Sequence, residues 1–216
     1  MAGLPAFLNV EDMKVVVVGG GSVARRKIRG LIASGAKIVI ISPEIKNELR
    51  EMVEAGILEW KPKRYEYGDL EGFWLVIAAT SDSGVNYQVY QEAKDLTQLY
   101  NIADRPDLST FHTAAQVKQG DLQIAISTGG KAPALSGQIR KELEEKFGES
   151  FKEYLGFAGE VREWLLVNAD VKERRRILRK IASREILDWL MSGDLDRVFK
   201  EMEKIIPERF FNERAL

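Results

Sequence analysis

Two glycines, an alanine and an aspartate are the residues of this chain whose types and spacing could do chemistry. Gly19, Gly21 and Ala24 stand at GxGxxA spacing directly after the apolar run Val15 to Val18, and Asp104 follows another apolar run, Leu99 to Ala103. In such a turn the first glycine permits a tight bend and the second lets a pyrophosphate approach bare backbone. The small third residue lets a helix pack closely on a strand. The free N–H groups of Ser22 and Val23 then open a helix toward the phosphates, so the anion is held by backbone rather than by side chains. Asp104, with Asn101 three residues before it, sits at a strand end, where ligands of parallel sheets bind. A carboxylate beside a nicotinamide can accept a proton as hydride leaves. Its plainer reading is an Asx turn before Arg105 and Pro106.

The elements that must position these residues alternate between strand and helix. Val15 to Val18 are all β-branched, as expected of a strand buried on both faces. Ala24, Ile28, Leu31 and Ile32 fall on one helical face, Gly35 ends that helix, and Lys37 to Ile41 form a second strand. At its end, where an acid usually meets the ribose, stand Ser42, Pro43 and Glu44. No Arg or Lys awaits a 2′-phosphate there and Glu44 would repel one, which favours NAD over NADP. Glu44 to Glu54 reads as helix, Ile57 to Trp60 as strand, and Trp74 to Ala79 as a fourth strand ending in Thr80, Ser81 and Asp82. Thr80 falls on the crevice by geometry, while Ser81 or Asp82 suits the N-cap of a helix striped by Val85, Val89, Ala93 and Leu96. Leu4 to Val10 is expected to lie on the sheet or on a partner. These alternations imply an α/β fold with a Rossmann-type doubly wound parallel sheet over residues 1–110.

Beyond Arg105 the pattern changes. Thr110 to Val117 and Leu122 to Ser127, joined around Gly120, read as a hairpin, and a helix with Leu135, Ile139, Leu143 and Phe147 on one face follows. This small α+β segment, 111–148, cannot bury a core alone, so a second copy of the chain is expected to cover it as a dimerisation segment. Residues 149–216 read as an all-helical domain. One stripe is Phe151, Leu155, Ala158, Val161 and Leu165; another is Leu178, Ile181, Ile186 and Trp189; the last helix turns Leu195, Val198, Phe199, Met202 and Ile206 inward.

Composition removes several function classes. The 216 residues carry a net charge of −1, so nothing attracts the whole chain to nucleic acid or an anionic membrane. Without cysteine there is no disulfide, thiol nucleophile or Cys-ligated metal. No run approaches a membrane span and no basic leader precedes the first strand, so a cytoplasmic protein is expected. No group of His, Cys and carboxylates has metal spacing, and no metal is assigned. His112, the only histidine, reads as a hydrogen-bonded structural residue or a substrate contact. A regulator sensing NADH and touching DNA through Arg174 to Arg176 is the alternative of another class; no basic recognition helix supports it.

The segments LPAFLNVEDMKVVVVGGGSVARRK, IAATSD, NIADRPDLSTF and DLQIAISTGGKAPAL together resemble the precorrin-2 dehydrogenase family, including the N-terminal module of sirohaem synthase. The resemblance covers about the first 145 residues, and the tail matches in layout only. It implies NAD-dependent dehydrogenation of precorrin-2 to sirohydrochlorin by a homodimer with an exchanged or interlocked middle segment. Iron insertion into the product, known in some relatives, is the alternative. It further implies that Asp104 is the essential acid, as base or orienting group, and that Gly21, Ser22, Val23, Pro43 and Glu44 contact NAD. The implied substrate is a tetrapyrrole bearing eight carboxylates, for which Arg105, Lys131, Arg140 and the cluster Arg174, Arg175, Arg176 and Arg179 are candidate rim cations, the cluster reading more readily as a solvated helix face, and His112 is a candidate contact. Where relatives carry a proline shortly after the Phe of the SF motif, this chain reads Phe111, His112, Thr113, Ala114, a departure within the pocket segment. The methyltransferase activity of the fused bacterial enzyme is not expected.

Overall fold

The valine run after Lys14 becomes the middle strand of a sheet, as its β-branched residues require. In the computed structural model, which describes residues 3–214, the strands are β1 (Lys14–Val18), β2 (Lys37–Ile41), β3 (Glu59–Lys61), β4 (Leu75–Ala78) and β5 (Leu99–Ile102). All pair in parallel in the order β3-β2-β1-β4-β5. Val15 and Val17 enter one apolar cluster with Ala24, Ile28, Ile40 and Leu49. Val16 and Val18 enter another with Val76, Val89, Ala93 and Ile102. The four valines are at most 1% exposed, each contributing roughly 1.5–3 kcal/mol of apolar burial. The order reverses between β1 and β4, and such a reversal opens a crevice at the carboxyl ends of the strands. The doubly wound sheet expected from the sequence is present.

Three helices cross over the sheet: α1 (Ser22–Ile32), α2 (Asn47–Glu54) and α3 (Ser83–Leu96). The second starts three residues later than its composition suggests. Glu44 to Lys46 is pinned as a loop, with Ile45 buried and the Lys46 N–H donating to the Gly20 carbonyl at 3.1 Å. Asp82 is the N-cap of α3, its carboxylate accepting from the N–H groups of Gly84 and Val85. In the N-terminal stretch only Val10 is buried, while Phe7 and Leu8 are exposed. The strand expected from Thr110 begins instead at Ala115, because the preceding residues are tied to β5. Thr110 exchanges hydrogen bonds with Tyr100, and the Phe111 carbonyl accepts from the Asn101 side chain at 2.8 Å.

Ala6–Thr113 forms one compact unit, and the residues from Ala114 onward form another. The second unit opens with an antiparallel hairpin, β6 (Ala115–Gln119) and β7 (Leu122–Ile126), followed by α4 (Pro133–Lys146). Five helices follow: α5 (Ser150–Asn168), α6 (Val171–Ile181), α7 (Arg184–Ser192), α8 (Leu195–Ile205) and α9 (Glu208–Arg214). Their core holds Phe151, Val161, Leu165, Ile177, Ile181, Ile186, Leu190, Val198 and Met202. Two expectations are corrected here. The stripe through Leu178 and Trp189 is shifted by one residue to Ile177 and Leu190, because Ser183 caps α7 and breaks the stripe into two helices. A further helix, α9, follows Pro207 and inserts Phe210, 4% exposed, into the same core. Tyr154 donates to the Ile181 carbonyl at the end of α6, and burial pushes its phenol up to about 12.

Lys27 lies on α1 with its ammonium donating to Thr113 Oγ1 at 3.2 Å. Burial first, then the neighbouring Arg26, lowers its pKa to about 8. Between about pH 8 and the ordinary lysine range near 10.5 the unfolded chain therefore binds more protons, so this residue makes stability rise as pH rises through that window. At pH 7 the charged amine is a net cost, on the order of 1 kcal/mol after solvent screening. Lys27→Met should raise the melting temperature at pH 7 by a few degrees. It should also flatten the rise above pH 8, as read by circular dichroism; an unchanged pH slope would refute the assignment.

Candidate functional site

The glycine turn separates into residues the fold needs and one it does not. Gly19 has φ +119°, and a Cβ there would lie 2.5 Å from the Ala79 carbonyl oxygen at the end of β4. Gly20 admits no Cβ either, since one would lie 2.2 Å from the Glu44 carbonyl oxygen in the loop after β2. Gly21 has ordinary extended backbone angles, φ −85° and ψ −168°, and a Cβ there would meet nothing within 4 Å. Its bareness serves no contact within the protein and leaves a cradle at the first turn of α1. Gly21 is the N-cap of α1 and offers no side-chain cap, and the first helical hydrogen bond runs from Arg25 to the Gly21 carbonyl at 3.0 Å. The N–H groups of Ser22 and Val23 have no acceptor among the described residues, as at any uncapped helix start. Ala24 is fully buried and packs α1 against the sheet. This cradle fits a pyrophosphate: bare backbone, unpaired donors and the positive end of a helix.

Beside the cradle, the loop after β2 is locked. Ser42 is 8% exposed, and its hydroxyl donates to the Glu44 carbonyl at 2.6 Å, while Trp60 Nε1 donates to the Ser42 carbonyl at 2.8 Å. The Ser42 hydroxyl is thus committed within the loop. Pro43 and the Glu44 side chain are exposed next to the turn. Arg25 and Arg29, on α1, are held by Glu48 of α2.

On the other side of the crevice a polar network joins the ends of β4 and β5. Asn86, on α3 and 1% exposed, accepts from the Thr80 N–H at 3.1 Å, and the Thr80 hydroxyl lies 2.8 Å from both Asn86 Oδ1 and the Asp82 carbonyl, with one proton between them. Its amide donates to the Thr80 carbonyl at 3.2 Å and to Asp104 Oδ1 at 2.9 Å. Asp104 itself is exposed, so one carboxylate oxygen is anchored from below while the group faces outward. Sequence reasoning missed Asn86. The available signal was an amide spaced with Val89 and Ala93 on the buried face of α3, where only a hydrogen-bonded polar group is tolerated. Glu92, also 1% exposed, does comparable work further down α3. It accepts from the N–H groups of Gly68 and Leu70 and from the Tyr65 hydroxyl, which burial and this carboxylate hold far above the ordinary tyrosine range.

Asn101 is 4% exposed on β5, and its amide donates to the Phe111 carbonyl. Its Oδ1 is buried without a hydrogen-bond partner among the described residues, a state that costs about 1–3 kcal/mol until a donor arrives. Arg105 is exposed, and Asp107 grips its guanidinium through Nε at 3.0 Å and a terminal nitrogen at 2.6 Å. That contact raises the Arg105 pKa and holds the Asp107 carboxyl below its usual range. His112 is exposed. In the second unit Lys131 is exposed in the turn before α4, and Arg140 pairs with Glu144. No group of three or more His, Asp or Glu side chains that could hold a metal ion is found among the described residues.

Comparison with known proteins accords with this geometry. Residues 6–115 match a family model described as "Putative NAD(P)-binding", and residues 119–146 match one described as "Sirohaem biosynthesis protein central". The chain is 36% identical over 193 residues to siroheme synthase 3 of Aeromonas hydrophila, covering 88% of this chain and 41% of that protein. It is 34% identical over 207 residues to the siroheme synthase of Chromobacterium violaceum, covering 95% of this chain and 44% of that one. The chain thus spans less than half the length of these curated relatives. Among solved structures it is similar to SirC, a precorrin-2 dehydrogenase, with a TM-score of 0.76 and 29% identity over 92% of this chain and all of the other. A parallel sheet with a bare-backbone cradle and a model match across half its length place the chain in the family described as "Putative NAD(P)-binding".

Proposed function

We propose that the chain is a precorrin-2 dehydrogenase that uses NAD to form sirohydrochlorin on the route to sirohaem. The observation that carries this reading is the crevice itself. An anion cradle at Gly21 to Val23 and an outward-facing carboxylate at Asp104 stand on the carboxyl ends of one sheet, as a dehydrogenase that must also move a proton requires. Gly19, Gly21, Ser22, Val23 and Ala24 build the turn for the pyrophosphate, while Pro43 and Glu44 border the ribose. The exposed Glu44 carboxylate disfavours a 2′-phosphate, so NAD is preferred over NADP. The bound nicotinamide supplies the hydride acceptor. Asp104 takes the proton released as the macrocycle aromatises, or orients a ring nitrogen, and Thr80 and Asn101 line the crevice beside it. The substrate's carboxylates call for rim cations, a part assigned to Arg105 with His112 as a neighbouring contact. Purified protein given NAD and anaerobic precorrin-2 should generate NADH absorbance; a chain that binds NAD without this turnover would refute the assignment. The reading includes a cytoplasmic location, with which a chain free of cysteine is compatible without demanding it.

The reading includes a homodimer. The apolar face expected on α4 is left uncovered within the chain: Leu135 is 53% exposed, and Ile139 and Leu143 are only half-buried. Val117 alone of the hairpin is fully buried. A second copy laid on this segment would cover both. Light scattering should give twice the chain mass of 24.4 kDa, and Leu135→Glu should shift the protein toward monomer. A monomeric mass for the unaltered chain would dispose of the dimer.

A further inference from the structure

The geometry points to Asn86 as a positioning residue for the reaction: a buried amide on α3 that aims the Asp104 carboxylate and ties it to the Thr80 end of β4. The inference rests on the reading of Asp104 as the acid that handles the proton.

Three hydrogen bonds with fixed direction hold the Asn86 side chain. Its oxygen takes the N–H of Thr80, and its nitrogen divides two protons between the Thr80 carbonyl and Asp104 Oδ1, while the Thr80 hydroxyl has one proton to share between Asn86 Oδ1 and the Asp82 carbonyl. Because the Thr80 N–H can only donate and the Thr80 carbonyl only accept, the oxygen cannot swap places with the nitrogen without facing donor with donor and acceptor with acceptor. The NH2 group must therefore point at Asp104. Asp104 is otherwise an exposed side chain free to rotate, and a general base loses much of its effect when its angle to the reacting atom is not held. The other charged groups near this corner are already engaged. Arg105 is held by Asp107, and the Asp82 carboxylate caps α3 through Gly84 and Val85. Asp104 and Tyr87 both lie close enough to Arg105 to act on its charge, so Arg105 is the cation that faces the Asp104 carboxylate at this corner. Asn86 is thus the side chain that donates to Asp104 among the described residues.

The test compares Asn86→Asp, Asn86→Leu and Asn86→Gln with Asp104→Ala, alone and combined, in the full chain. Asn86→Asp keeps the shape and the acceptors for Thr80 but sets a second carboxylate against Asp104, so the two share one site. The acid limb of the kcat against pH profile should move up by about one unit or more, with kcat at pH 7 falling about tenfold and KM for NAD changing less than about threefold. Asn86→Leu should lower kcat by about 10–100-fold without that shift in profile. Combined with Asp104→Ala, each Asn86 change should add little further loss, since an aim has no value without the group that is aimed. Asn86→Gln, which can reach the same acceptors, should recover part of the activity lost in Asn86→Leu. If Asp104→Ala lowers turnover to a measurable residual rate and the losses at Asn86 multiply with it, or the Asn86→Asp profile overlays the native one, the positioning role is overturned and the Asp104 reading survives. If Asp104→Ala retains full turnover, it is the reading beneath the inference that fails. Should Asn86→Leu not fold, the Asn86→Asp profile alone decides.

Discussion

Asp104→Ala is expected to lower kcat by about 10²–10⁴-fold while leaving the dissociation constant for NAD within about threefold of native. Removing a positioned general acid or base withdraws stabilisation that exists only as the proton moves, so kcat falls by this much and ground-state binding does not. Asp104→Asn sharpens the experiment. Its amide oxygen still accepts from Asn86 Nδ2, which keeps the 2.9 Å contact and the end of β5 in place, but it can neither take a proton nor carry charge. If the carboxylate acts chemically, the two variants are equally impaired. Near-native turnover by Asp104→Asn would reduce the residue to a turn former ahead of Arg105 and Pro106. Stopped assays with anaerobic precorrin-2 give kcat and KM, and quenching of intrinsic fluorescence gives the affinity for NAD.

A second large effect separates the three glycines. Gly21→Val should fold, because the position has extended angles and open space around its Cβ; the loss of a favourable N-cap residue costs no more than about 1 kcal/mol. Yet its side chain would occupy the cradle, and NAD affinity should fall on the order of 100-fold, equivalent to about 2.7 kcal/mol. Gly19→Ala fails for the opposite reason. It forces an L side chain to φ +119° and into the Ala79 carbonyl 2.5 Å away, so β1 and β4 must part. Strain and overpacking together cost about 3 kcal/mol or more, and the melting temperature should drop by about 10 °C or more. Gly20→Ala meets the Glu44 carbonyl and belongs with Gly19. Thermal melts and NAD titrations of the three variants check this directly. Destabilisation by Gly21→Val equal to that of Gly19→Ala, or unaltered NAD binding, would contradict it.

The roles of the glycines show how far local pattern reaches. GxGxxA spacing after a valine run singled out Gly19, Gly21 and Ala24, and left the middle glycine without a role. Gly20 serves to admit a loop that follows a different strand, some 25 residues on, and no local pattern announces such an approach. The same limit explains the late start of α2. Glu44 to Lys46 has helical composition, but the hydrogen bond from Lys46 to Gly20 and the burial of Ile45 hold it in another shape.

What the amino-acid sequence determined by itself was the set of features dictated by periodicity and by residue type. These are the parallel sheet, its crossover helices, the glycine turn at the start of α1, and the delivery of Asp104 to a strand end. Alternating or continuous apolar runs leave few ways to bury their surface, so those features follow from neighbours along the chain. Tertiary structure alone decided the pairing of distant groups. It set Asn86 beneath Asp104, closed Gly20 against Glu44, left Asn101 Oδ1 without a donor, and shifted the tail's inward face from Leu178 and Trp189 to Ile177 and Leu190. A buried polar side chain acquires its meaning from whichever acceptors the fold brings within about 3 Å, and that distance is fixed by the packing of whole elements.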